Sequence, residues 1–210
     1  MTQREPLDPR YFRREDESPD PLFYVEARFT VHIDDGAIAA ATETYRDLLP
    51  ADGRILDLMS SWRSHLPTDV TYAEVVGLGL NAEEMADNPQ LHEYVVHDLN
   101  VDPRLPFDEH AFDGAVCTVS VQYMTRPVET FGEVRRVLKA NAPFVLTYSN
   151  RCFPTKAIAA WMATDETQHA NIIATYFHES GGWGEVYAER RRAGAPGLSD
   201  PLYAVWAWKK

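Results

Sequence analysis

Arg54-Ile55-Leu56-Asp57-Leu58-Met59-Ser60-Ser61-Trp62-Arg63-Ser64-His65-Leu66-Pro67 decides how this chain is read. A short apolar run ends in an acid and breaks at once into small polar residues. That is the pattern of a buried parallel strand that ends in a ligand-binding loop. A second run, Glu74-Val75-Val76-Gly77-Leu78-Gly79-Leu80, leads into a helix start at Asn81-Ala82-Glu83-Glu84-Met85. A third follows at Tyr94-Val95-Val96-His97-Asp98, and a fourth from Phe112 through Ser120. Strand ends aligned in this way build a nucleotide-type pocket at the carboxyl edge of an α/β sheet.

The flanking segments fit one α/β domain. Ala37 through Leu49 has helical spacing and stops at Pro50, and Ala82 to Asn88 reads as a helix stopped at Pro89. Pro127 through Lys139 puts Val128, Phe131, Val134, Val137 and Leu138 on one helical face. Ala142 to Ser149 reads as a fifth strand, and Thr155 to Met162 and Thr167 to Ser180 as helices, the second ended by Gly181-Gly182. Trp183 to Tyr187 and Leu202 to Trp208 read as closing strands of a hairpin, the aromatic alternation of the latter marking a strand with two packed faces. Residues 1–36 are expected to form an arm and pocket cover, and residues 37–210 the α/β domain. Residues 1–21 are charged and bear proline, so an exposed arm is expected there, with Tyr11 and Phe12 available to pin it.

The 210 residues suffice for one sizeable domain, and 45% hydrophobic with 25% charged residues is an ordinary globular composition. A net charge of −12 repels a phosphate backbone and argues against a nucleic-acid partner. Arg190-Arg191-Arg192 is the only concentrated basic run and reads as a solvated loop or helix end. Cys117 and Cys152 read as free thiols. Met1 to Pro6 contains no apolar leader core, and no run approaches the ~18 apolar residues of a membrane span. The expected location is the cytoplasm, with no membrane partner.

Taken in order, these motifs resemble a class I S-adenosylmethionine-dependent methyltransferase over roughly residues 37–208. The most extensive match is Leu105-Pro106-Phe107-Asp108-Glu109-His110-Ala111-Phe112-Asp113-Gly114-Ala115-Val116, followed by the helix ending Arg135-Arg136-Val137-Leu138-Lys139. The signature around Asp57 and Ser64-His65-Leu66-Pro67 looks like uncharacterised methyltransferase type 11-like proteins. The resemblance implies a Rossmann-like seven-stranded sheet in a three-layer α/β/α arrangement, mostly parallel with an antiparallel last strand. It also implies S-adenosylmethionine as cofactor and methyl transfer to a small-molecule acceptor.

Carried over residue by residue, the resemblance assigns Asp57, Met59, Ser60 and Ser61 to the loop under the methionine part of the cofactor. The family's glycines are absent there, leaving serines to make hydrogen bonds directly. Gly79, Leu80 and Asn81 fall at the ribose position, with Gly79 where relatives carry an acid. Asn81 reads equally as the N-cap of the next helix, with Glu84 in the capping-box position. Asp98, Leu99 and Asn100 match the adenine edge, and Ser120, Val121 and Gln122 follow the fourth strand against the cofactor.

For catalysis the fold mainly aligns a nucleophile with the methyl group and excludes water. Tyr123, His32 and Arg151 are the candidates: Tyr123 by its place beyond the fourth strand, His32 as a base in the covering segment, and Arg151 as a bidentate anchor for an acidic acceptor. Asn150 should face the same cavity, with Phe153 to Lys156 as a wall. The seven histidines make no HExxH or paired CxxC pattern, so no metal site is expected; no Gly-x-Ser-x-Gly elbow or Gly-x-Gly-x-x-Gly fingerprint occurs. Two other readings stay open: a degenerate fold kept for cofactor binding or regulation, and a protein methyltransferase acting on a basic partner. The oligomeric state is not legible.

Overall fold

The computed structural model describes residues 7–210 of the chain, so the reading of Met1 to Pro6 lies outside the described residues. Seven strands form one sheet: β1 (Arg54–Leu58), β2 (Glu74–Gly79), β3 (Glu93–Val96), β4 (Gly114–Thr118), β5 (Pro143–Tyr148), β6 (Tyr187–Arg192) and β7 (Leu202–Trp208). Their order is β3-β2-β1-β4-β5-β7-β6. β1 to β5 run parallel, β7 inserts antiparallel to β5, and β6 pairs antiparallel with β7 at the edge. The strand order reverses between β1 and β4, and that switch point is where an open α/β sheet binds ligands.

Helices cover both faces: α1 (Asp20–Phe23), α2 (Asp35–Leu48), α3 (Ala82–Ala86), α4 (Pro127–Val137), α5 (Ala159–Met162) and α6 (Glu166–Ser180). Because strand side chains alternate, neighbouring residues of β1 serve opposite cores. Leu56 and Leu58 join Phe131 and Val134 of α4 and Ile173 and Phe177 of α6. Ile55 joins Ala37, Ala41 and Tyr45 of α2 on the other side. Local sequence sets the helix ends: the Asp34 carboxylate caps α2 at the Ala37 N–H (2.8 Å), and Asp165 with Gln168 closes a capping box on α6. Gly181, at φ +66°, ends α6 in a conformation that glycine adopts without strain.

Several boundaries differ from the sequence reading. The edge strand is Tyr187–Arg192, whereas Trp183 makes only an isolated bridge with Lys209. The arginine run is therefore strand, with Arg191 paired to Asp47 and Glu189 and Arg192 to Asp34. Residues 155–158 are turn rather than helix, and α3 stops two residues early at the Asp87 cap.

From residue 7 onward most side chains of the arm are exposed, Tyr11 among them, but a few residues dock it. Phe12 packs on the α4–α6 core beside Tyr176, and Asp16 N–H and Arg13 C=O bond to Thr155 and Ala159. Lys156, fully buried, donates to the Ser18 carbonyl (2.7 Å) and pairs with Asp16 (3.1 Å) and Asp20 (3.3 Å). Arg14 pairs with the same Asp20 at 2.7 Å. Lys156 thus holds the arm in place and is not part of a cavity wall.

Candidate active site

The carboxyl ends of β1, β2, β3 and β4 open into a cavity of about 280 Å³, at the small end of ligand cavities, which run from roughly 300 Å³ upward. Residues 24–32 roof it. The Asn81 amide donates to the Tyr24 carbonyl (2.9 Å), and the Arg28 N–H donates to Glu84 Oε1 (2.7 Å).

On the β1 side, Asp57 is buried and accepts from Ser60 Oγ and Ser64 Oγ, each at 2.6 Å. Burial outweighs these two bonds and pushes the Asp57 carboxyl up to about 6. The glycine-free loop still takes the left-handed backbone that glycines usually supply, at Met59 and His65, both at φ +57°. Val119, beyond β4, sits at φ +45°. For a β-branched residue that strain costs on the order of 1–3 kcal/mol, and such strain collects at functional sites.

At β2 the loop explains the missing acid. The Ser60 N–H bonds to the Leu78 carbonyl (2.8 Å), drawing the loop backbone across Gly79, where a β-carbon would lie 2.1 Å from the Ser60 oxygen. Asn81 serves both neighbours: Oδ1 caps the Glu83 and Glu84 N–H groups, and Nδ2 holds the roof. Glu84, expected in a capping box, instead turns its buried carboxylate to Ser61 Oγ and the Arg28 N–H in the cavity wall. Sequence reasoning missed this acid because its spacing from Asn81 is also that of a cap.

At β3, Asp98 Oδ1 accepts from the Asn100 N–H (2.9 Å), with Leu99 beside it in the lining. The Asn100 side chain is occupied by Asp20, the Tyr123 carbonyl and the Thr125 N–H. Ser120 lines the cavity, but the structure does not bring Val121 and Gln122 into it. The 3-10 turn Val121–Tyr123 rotates both into the core, where Gln122 Nε2 donates to the Val119 carbonyl (2.7 Å).

The three catalytic candidates all line the cavity, in different states. Tyr123 Oη accepts from the Phe153 N–H (2.8 Å), and burial pushes its phenol up to about 12, so it stays protonated. His32 is exposed overall, yet its imidazole lies edge-on to Phe153 at 5.3 Å, and desolvation holds its pKa below the usual histidine value. Arg151 lies at the exposed rim with Nε bonded to Asp200 (2.8 Å). Asn150 is exposed and outside the lining. Cys117 and Cys152 are free, and among the described residues no group of histidine, cysteine and acid side chains could hold a metal ion. None of the described helices is long and apolar enough to cross a membrane.

Residues 51–146 match the family described as "Methyltransferase domain". A biotin biosynthesis bifunctional protein, BioHC, of Teredinibacter turnerae is 29% identical over 90 residues, which are 43% of this chain and 16% of that protein. Among solved structures, an S-adenosylmethionine-dependent methyltransferase from Mesorhizobium loti superposes with a TM-score of 0.54 at 17% identity, covering 81% of this chain and 98% of that one. The [4+2]-cyclase SpnF superposes with a TM-score of 0.60 at 13% identity, covering 88% and 85%. The fold is that of the class I S-adenosylmethionine-dependent methyltransferases. Within it, residues 51–146 carry the match to the methyltransferase-domain family, and S-adenosylmethionine is the cofactor of the class that shares this fold.

Proposed function

We propose that this protein transfers the methyl group of S-adenosylmethionine to a small-molecule acceptor held under residues 24–32. The roof is the observation that carries the reading. Segment 24–32 is hydrogen-bonded to α3 and leaves a confined cavity, which suits a small acceptor better than a protein chain. The charge of −12 adds to the case against a nucleic-acid acceptor.

The lining fits the cofactor. Asp98 offers an acceptor for the adenine amine, with Leu80 and Leu99 as apolar leaves beside it. Glu84 supplies a carboxylate near the ribose position that Gly79 leaves bare, and the loop at Ser60 and Ser61 faces the methionine end. When bound, the cofactor supplies an electrophilic methyl group on sulfur, so the protein's task is alignment and exclusion of water. Tyr123 keeps its proton and positions the Phe153 backbone. His32, its pKa lowered, is neutral at pH 7 and can accept a proton from the acceptor nucleophile.

Calorimetric titration with S-adenosylhomocysteine tests the reading. Micromolar binding is expected, weakened at least tenfold in Asp98→Ala. Absence of binding would favour the degenerate reading, which the loop packing over Gly79 and the likeness of fold to a cyclase keep in play.

A further inference from the structure

Arg28 stands out among the cavity's cations. Arg151 is paired with Asp200, and Arg63 stacks on Trp62 and lies 3.7 Å from the Asp87 carboxylate. Among the described residues the Arg28 guanidinium has no ion pair, although it lines the cavity. Its Nη2 donates to the Phe23 carbonyl (2.8 Å), while Nη1 is buried and has no hydrogen-bond partner. Aromatic faces hold it there, with the guanidinium carbon 4.8 Å from the Phe23 ring centre, 5.5 Å from Phe153 and 5.6 Å from Tyr24. His32 packs on the same Phe153 ring.

A buried cationic N–H without a partner is costly to keep, and an anionic acceptor placed on it gains more than it would in water. Nη1 is the buried nitrogen left without a partner, and the Glu84 carboxylate approaches the same residue at its backbone N–H (2.7 Å), which disfavours a dianion. We infer that Arg28 Nη1 receives a carboxylate of the methyl acceptor, which is a small organic acid whose apolar body packs among Tyr24, Phe153 and Tyr123. The inference rests on the reading of this cavity as a methyl-acceptor site. It moves the anion contact from Arg151, held at the rim by Asp200, to the roof.

The test compares small aromatic acids with their neutral amides, benzoate against benzamide and phenylacetate against phenylacetamide. Binding is followed by calorimetry in the parent and the variants, and in the parent also by NMR of side-chain-labelled arginine, with and without saturating S-adenosylhomocysteine. The acids should bind at least tenfold more tightly than the amides and shift the Arg28 guanidinium signals. Arg28→Met should abolish that preference, Arg28→Lys should keep part of it, and both should leave S-adenosylhomocysteine affinity within twofold; melting curves identify any variant that fails to fold. Equal binding of acid and amide, or no acid-dependent shift with any probe, overturns the inference. So does an Arg28 variant that loses S-adenosylhomocysteine affinity as strongly as acid affinity, since Arg28 would then serve the cofactor. If S-adenosylhomocysteine fails to bind while the acids still shift Arg28, the methyl-transfer reading falls and the anion site stands.

Discussion

A β-carbon on Gly79 would meet the Ser60 carbonyl oxygen at 2.1 Å, so this position is governed by loop packing and an acid cannot simply be restored there. Gly79→Asp should therefore lower stability by about 1–3 kcal/mol, the usual cost of overpacking, and weaken S-adenosylhomocysteine binding. Urea denaturation and calorimetry check this; tighter binding by the variant would show that the loop yields. Asp57 carries a second residue-scale consequence. Its folded pKa of about 6 lies above the unfolded value near 3.9, so the folded state holds this proton more tightly. Its ionisation therefore opposes folding above pH 6, by up to about 3 kcal/mol, and the penalty fades as pH falls from 6 towards 4. Asp57→Asn should gain stability relative to the parent at pH 8, and the gain should vanish by pH 4 to 5. A difference independent of pH would refute the assignment.

At the scale of elements, the arm depends on one buried cation. Lys156 lies in the turn before α5 and neutralises Asp16 and Asp20 from the N-terminal segment. Lys156→Met leaves Arg14 as the only cationic partner of the buried Asp20 among the described residues, and removing one member of a buried ionic cluster costs on the order of 3–5 kcal/mol. Hydrogen exchange should accelerate in residues 14–24 far more than in β1 or β5. Unchanged protection there would mean that Phe12 and the backbone bonds suffice. None of this was legible in the sequence, because charges that pair across so many residues have no local pattern. Edge strand β6 was displaced for a related reason: exposed edges carry charge, so Arg190-Arg191-Arg192 reads as a solvated loop. Where apolar runs are buried on both sides, as at Leu56-Asp57-Leu58 and Phe144 to Leu146, the reading and the structure coincide.

For the molecule as a whole, the succession of buried strands was legible because each parallel strand carries its own apolar run and each strand end its own loop, while the direction of the last strand came from the family resemblance. The distribution of roles inside the cavity was not. The turn of Val121 and Gln122 into the core, the release of Glu84 from capping and the neutralisation of Arg151 by Asp200 all depend on neighbours far away in the chain. The buried lysine also has a consequence in time. Its bonds to Asp16 and Ser18 close spans of 140 and 138 residues. A growing chain therefore completes β1 to β5 before Lys156 is made, and Asp16 and Asp20 wait for that cation although Asn81, Glu84 and Asn100 are already present. Closing so long a loop costs more entropy than closing any of the strand-to-strand steps before it, although only as the logarithm of its length. Each newborn molecule thus passes through a stage in which the parallel strands are built while the paired acids of the N-terminal segment still lack their lysine.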